Sequence, residues 1–93
     1  MKIHKIKLKI EFCDAVLNGE KTFEIRKDDR CYQKGDRIRF VPVLGGPYLE
    51  FPHGDEKVSH PVADREYEIT YVLHGYGLQE GYAVLAIKEV KND

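Results

Sequence analysis

The sequence predicts an α+β domain that is predominantly β, a small barrel of short strands with one short helix. Apolar and polar residues alternate in several runs, one stretch between two such runs has helical spacing, and turn residues separate the others. A chain of 93 residues, 42% hydrophobic and 33% charged, suffices for a single modest core. We therefore treat residues 1–93 as one domain, in which closure of the sheet would remove exposed strand edges.

The first strand is expected over residues 4–10, where the alternation is strict. Lys5, Lys7 and Lys9 share one face, so the opposite, largely apolar face is expected to be buried. The lysine row is either an ordinary solvated face or a strip that meets phosphates.

A short helix of about two turns should follow over Glu11–Asn18. Phe12 and Val16 are four residues apart and therefore share a face of this helix. Gly19 is a natural terminator, because glycine readily adopts the left-handed conformation that ends helices.

The next strand carries the candidate site. Side chains alternate along a strand, so Thr22, Glu24 and Arg26 should point one way and Phe23 and Ile25 the other. If the core takes Phe23 and Ile25, the outer face presents a hydroxyl, a carboxylate and a guanidinium in a row. The ordinary alternative is a solvated face on which Glu24 and Arg26 pair with neighbours. The further cations of this stretch are Lys21, Lys27 and Arg30.

Three later strands are expected, at residues 37–41, 66–73 and 82–87. Pro42 should limit the hydrogen bonding of the first of them, because proline has no backbone N–H. In the second, alternation places on one face Tyr67, Ile69, Tyr71 and Leu73. The third is apolar on both faces, which predicts a central strand covered on both sides.

All four prolines fall between residues 42 and 61, which predicts a long surface loop over Val43–Asp64, with a small extended piece at Tyr48–Phe51. Two interpretations stay open for this loop. It is either a mobile partial lid over the site, to which His53 and His60 add charge at low pH, or a tolerated insertion.

Charge is divided unevenly along the chain. Residues 1–40 hold 11 Lys and Arg against 7 Asp and Glu, whereas residues 41–93 hold 4 against 9. A basic half can bind an anion although the net charge is −1. No apolar run has the length of a membrane span and no signal region follows the start, so a cytoplasmic protein is expected. Cys13 and Cys31 should be reduced and partly buried, and the scattered histidines predict no metal site and no cofactor.

Several stretches resemble the ASCH domains of the PUA-like superfamily, most of all a small, often phage-associated branch without assigned function. They include a G-x-K-x-x-E-x-R signature that ends at Arg26, a downstream Gly35-Asp36 and a closing G-Y-x-V-L that starts at Gly81. The stretches that carry the resemblance are residues 7–10, 15–30, 33–36, 69–73 and 81–85. The resemblance implies a small PUA-like β-barrel with the helix packed at its mouth, and a role in binding RNA or nucleotides.

One set of small ASCH proteins are amidohydrolases that deacylate 4-acetylcytidine with a lysine, a threonine and a distant glutamate. The lysine of that pattern matches Lys21, but its threonine falls on Glu24, two positions past Thr22. This departure removes the matched nucleophile. An amidohydrolase that uses Lys21 and Glu24 is therefore the alternative, and a noncatalytic binding module is the main prediction.

The predicted ligand is single-stranded RNA or a nucleotide, at a cleft formed by Lys21, Glu24 and Arg26. Arg26 offers a planar fork of donors and Lys21 a compact charge, while Glu24 either accepts from a base or orients the two cations. The surrounding cations are Lys7, Lys9, Lys27 and Arg30. The sequence carries no signal for an oligomeric state.

Overall fold

The computed structural model describes residues 1–44 and 56–91. In chain order the elements are β1 (Ile3–Lys9), α1 (Ile10–Leu17), β2 (Phe23–Lys27), β3 (Arg37–Leu44), β4 (Glu56–Lys57), a 3₁₀ helix (Pro61–Asp64), β5 (Tyr67–Leu73) and β6 (Tyr82–Glu89). The prediction of a predominantly β domain with one short α-helix is confirmed.

The strands form one sheet with the order β1-β3-β5-β6-β2, and the short β4 pairs with the end of β3. β1 runs parallel to β3, and the other neighbours are antiparallel. The sheet curls into a half-barrel, so its two edge strands, β1 and β2, come to lie beside one another. We call the gap between β1 and β2 the seam.

The core fills the concave side of this sheet. β1 contributes the side chains predicted to be inside, and Ile6 and Leu8 are each only 2% exposed. Helix α1 packs on β1 and β3 and adds Cys13 and Val16, and the 3₁₀ helix adds Val62. Alternation in β1 therefore correctly indicated its buried face. In α1 the buried residues are Cys13 and Val16, whereas Phe12, which the spacing had placed on one face with Val16, is 40% exposed.

The end of α1 determines where β2 starts. Asn18 N–H donates to the carbonyl of Asp14 (2.9 Å), and Gly19 takes the left-handed conformation (φ 83°) that the sequence predicted for a terminator. Lys21 N–H then donates back to the carbonyl of Ala15 (2.9 Å). The first residue of the candidate site is thus hydrogen-bonded through its backbone to the helix.

β3 runs past its predicted end at Val41, through Pro42, and continues to Leu44. Arg37 N–H donates to the carbonyl of Lys2, so alternate residues from Arg37 onward direct their backbone groups toward β1. The nitrogen of Pro42 faces the other side, where β5 pairs only with Arg37 and Ile38. Within residues 1–44 and 56–91, no ladder on that side requires the missing N–H, and the carbonyl of Pro42 accepts from Val58 N–H (3.0 Å).

The prediction of a long loop over residues 43–64 is wrong for the described part of that range. Its start belongs to β3, and it further contains β4 and the 3₁₀ helix. The ring of His60 accepts from Val62 N–H (3.0 Å) and contacts Asp14 on α1 (2.7 Å), which attaches this segment to the helix. The extended piece predicted at residues 48–51 and His53 lie outside the described residues.

The shared face predicted for β5 is interrupted. A bulge between Ile69 and Tyr71 shifts the register by one residue, so Tyr67 and Ile69 are buried whereas Tyr71 is 60% exposed. β6 is an interior strand of the sheet, as predicted, but only Ala83, Leu85 and Ile87 are buried. Its other face is only half-buried, so the prediction of cover on both sides is wrong.

The two cysteines differ in environment. Both thiols are free, as predicted. Cys13 is buried and Cys31 is exposed, so the prediction that the two are partly buried is wrong. Burial raises the pKa of the Cys13 thiol, and the negative charges of Asp14 and Glu24 add to this. No helix in the described part of the chain is both long and apolar enough to cross a membrane.

Candidate functional site

β2 buries the face that the sequence analysis placed outside. Glu24 is 3% exposed, whereas Phe23 and Ile25 are 44% and 53% exposed. The prediction that Phe23 and Ile25 enter the core is therefore wrong. These two side chains instead pack on the outer face of the sheet, opposite Ala86 and Val84 of β6, where cross-strand apolar pairs stabilise the edge strand.

The buried carboxylate of Glu24 is neutralised by two cations. Lys21 Nζ donates to Glu24 Oε1, and Arg26 Nε donates to Oε2 at 3.0 Å, with Arg26 Nη2 at 2.8 Å from the same oxygen. An unpaired carboxylate at this depth would be costly, so the ion pairs explain how β2 can bury it. The orienting role considered for Glu24 matches this geometry.

Lys21 is further positioned by its surroundings. Nζ donates to the carbonyl of Phe23 (2.9 Å), and it lies 5.3 Å and 5.0 Å from the ring centroids of Phe12 and Phe23. Both distances are in the range of cation–π attraction. The ammonium therefore lies between a carboxylate and two aromatic rings.

Two arginines bridge the seam. Arg26 Nη2 donates to the carbonyl of Lys7, and Arg30 Nη1 donates to the carbonyl of Lys5 (2.7 Å). These carbonyls belong to the edge of β1 that has no neighbour among the strands of the described residues. Guanidinium groups thus take part of the place that a further strand would occupy between β1 and β2.

A cleft of about 520 Å³ opens at one end of the seam, and we call it the Glu24 cleft. Its apolar lining comes from Leu8, Phe12, Phe23, Ile25 and Val43. Its charged lining comes from Lys7, Lys9, Lys21, Glu24 and Arg26. Apolar walls with a few convergent charges are typical of small-ligand sites, and four cations against one carboxylate favour an anion.

The structure divides the predicted site residues. Five of them line the Glu24 cleft, but Lys27 and Arg30 do not. These two line a second cleft farther along the seam, which we call the Arg30 cleft.

The aromatic and β3 side chains of the Glu24 cleft were missed. Phe12 was placed on one helix face with Val16 but in no site, and it is 40% exposed, while Val43 was placed in the long loop and belongs to β3. Helical spacing alone could not distinguish a core Phe12 from one that lines a cleft.

Among residues 1–44 and 56–91, no group of three or more His, Cys, Asp and Glu side chains is placed to hold a metal ion. Side chains that could ligate a metal are instead found in pairs, such as His60 with Asp14 and His74 with Asp28 (2.8 Å). The hydrogen bond from His74 lowers the pKa of Asp28, partial burial opposes this, and the backbone N–H of Tyr32 adds to the lowering.

A phage protein shares part of this sequence. The chain is 49% identical over 37 residues to a protein of Escherichia phage P2 described as an uncharacterized 12.9 kDa protein in the GpA 3′ region. The match covers 40% of this chain and about a third (34%) of the length of the phage protein. A family model described as a domain of unknown function, DUF3850, matches residues 3–87, and the chain belongs to this family.

Proposed function

We propose that this protein is a PUA-like (ASCH) module that binds single-stranded RNA or a nucleotide in the Glu24 cleft. The observation that carries the proposal is the buried Glu24 carboxylate, which holds an ammonium and a guanidinium beside two aromatic rings in an apolar cleft. A nucleotide combines the two chemistries that such a cleft accepts, an anion and a flat apolar ring.

The cations retain donors for a phosphate. In the described part of the chain, the hydrogen bonds of Arg26 use Nε and Nη2, so Nη1 is available to a ligand oxygen. Lys21 uses two of its three N–H donors, one to Glu24 and one to Phe23. Both groups are already oriented by Glu24, so binding would cost little further side-chain entropy.

The rings supply a surface for a base. Phe12 and Phe23 are 40% and 44% exposed and both line the cleft. Base stacking on an aromatic side chain contributes about 1–3 kcal/mol per base and requires an unpaired base. A single strand or a free nucleotide therefore suits this cleft better than a duplex.

The test is a titration with a short single-stranded RNA across a salt series, followed by fluorescence anisotropy. We expect Arg26→Ala and Lys21→Ala each to weaken binding by about tenfold or more, since a well-placed polar contact contributes about 1–3 kcal/mol. Arg26→Lys keeps the charge but not the fork, so it should restore only part of the affinity.

The matched control is Arg65→Ala, because Arg65 pairs with Glu89 (3.7 Å) and lines neither cleft of the seam. Circular dichroism of every variant checks folding. Affinity that ignores salt, or that survives both cleft substitutions while the control behaves identically, would contradict the proposal. The amidohydrolase alternative stays a prediction, for which turnover of acetylated nucleosides is the measurement.

A further inference from the structure

We infer that the seam forms a second anion subsite, so that the ligand is a single-stranded oligonucleotide with phosphates along the seam, rather than a mononucleotide. This inference rests on the proposed function of the Glu24 cleft. It assigns the ligand class and adds Lys57, which was not predicted as part of a site, and Lys5, which was considered only within the lysine row of the first strand.

The two clefts are adjacent along the seam. The Arg30 cleft, of about 520 Å³, shares Lys7 and Arg26 with the Glu24 cleft. Its other cations are Lys5, Lys27, Arg30 and Lys57. A bound oligonucleotide that leaves the Glu24 cleft past Arg26 would therefore reach the Arg30 cleft next.

The guanidiniums along this path are held in place. Arg26 and Arg30 donate to the carbonyls of Lys7 and Lys5, which lie two residues apart on β1, about 7 Å along the strand. Each guanidinium has five N–H donors, so one bonded to a carbonyl keeps others for a phosphate. Two oriented forks at this spacing favour a ligand with successive anionic groups.

Charge is concentrated on this strip of the surface. The two clefts together are lined by eight of the 15 Lys and Arg residues but by only two of the 16 acids, Glu24 and Asp29, a formal charge of +6. The net charge of the chain is −1, so the remainder of the molecule carries −7. Such a separation steers a polyanion to the seam.

The outer end of the strip provides exposed cations. Lys27 and Lys57 are exposed, and neither forms an ion pair with another residue in 1–44 or 56–91. Phosphate contacts of this kind contribute affinity without base specificity. An acidic peptide would meet the same charges but would have no base to place beside Phe12 and Phe23, which favours the oligonucleotide.

The experiment compares uridine monophosphate with oligouridylates of two, four and six nucleotides by calorimetry at several salt concentrations. We expect affinity to rise by about tenfold or more from the monophosphate to the tetranucleotide. The salt dependence should steepen by about 0.7 in the log–log slope for each added phosphate contact.

The double variant Lys27→Glu with Lys57→Glu should remove this gain with length, and it should weaken binding of the monophosphate no more than a charge-matched control does. Its control is Lys34→Glu with Lys88→Glu, an equal change of charge outside both clefts. Circular dichroism confirms that both variants are folded.

The outcomes separate the two proposals. Monophosphate binding that depends on Arg26 but does not strengthen with length would overturn the second subsite and leave the Glu24 cleft intact. If neither the monophosphate nor the oligonucleotides bind, the proposed function itself fails. A hexaglutamate peptide that binds as tightly as the hexanucleotide would overturn the assignment to nucleic acid.

Discussion

Two carboxylates are buried to the same extent in this domain, yet they have different kinds of partners. Asp36 is 4% exposed and Glu24 is 3% exposed. The Asp36 carboxylate accepts from Lys2 N–H (3.0 Å) and Gln33 N–H (3.2 Å) and lies 2.9 Å from the ring nitrogen of His4. The Glu24 carboxylate accepts only from the side chains of two cations in the described chain.

The difference indicates what each carboxylate does. Backbone donors have one N–H each, so the bonds to Asp36 are complete and connect the start of β1 to the turn before β3. Lys21 and Arg26 keep further donors that face a cleft. The Asp36 carboxylate therefore connects parts of the fold, whereas the Glu24 carboxylate positions two cations at a cleft, as the proposed binding site requires.

The largest expected effect is on Asp36. Burial alone would raise the pKa of this carboxyl, but its hydrogen bonds with His4, Lys2 N–H and Gln33 N–H outweigh burial and hold the pKa below its usual range. Asp36→Asn should lower the free energy of unfolding by about 3 kcal/mol at pH 7, because one partner of a buried pair is removed.

Urea unfolding of wild type and Asp36→Asn at several values from pH 7 to pH 3 measures this difference in the free energy of unfolding. Because the folded-state pKa is lowered, the stabilisation by Asp36 is complete above its unfolded pKa of about 4 and is lost as the pH falls through the folded value. The difference in the free energy of unfolding between wild type and Asp36→Asn should therefore narrow toward pH 3. At any one pH, the RNA affinity per folded molecule should be the same for the two proteins. A difference in the free energy of unfolding that is constant or widens on acidification would contradict this.

A smaller loss of stability, together with a loss of binding, is expected for Glu24→Gln. The amide cannot accept from both cations as a carboxylate does, so we expect about 1–2 kcal/mol less stability and about tenfold weaker RNA binding. The control is Glu66→Gln, since Glu66 pairs with Arg37 (3.1 Å) and lines neither cleft of the seam. Unchanged or tighter RNA binding would show that Glu24 does not orient Lys21 and Arg26.

The smallest effect should come from a buried polar group without a partner. The hydroxyl of Tyr67 is buried and has no hydrogen-bond partner among the described residues, although its ring packs against Phe40 (5.3 Å between centroids). Tyr67→Phe should raise the thermal midpoint slightly or leave it unchanged, a gain of less than about 1 kcal/mol, because an unsatisfied hydroxyl is removed. A loss of more than about 1 kcal/mol would mean that the hydroxyl is partnered in solution.

Local sequence determined the elements. Strict alternation specified β1 and its buried face, and the helix ended, as expected, just before Gly19, whose left-handed conformation needs only backbone freedom. The basic character of residues 1–40 also indicated where the cations of the site would be found. These properties depend on neighbours in the chain, which a sequence displays directly.

The tertiary structure alone decided which face of β2 is buried and what the seam contains. An alternating strand has two faces, and period two does not say which of them meets the core. Glu24 is inside because Lys21 and Arg26 neutralise it there and because Phe23 and Ile25 pack on the neighbouring strand β6. The seam arises because curling of the sheet brings its edge strands together, and it gathers Lys5, Arg30 and Lys57 from distant parts of the chain. Such long-range proximity depends on sheet order and curvature, which no local pattern encodes.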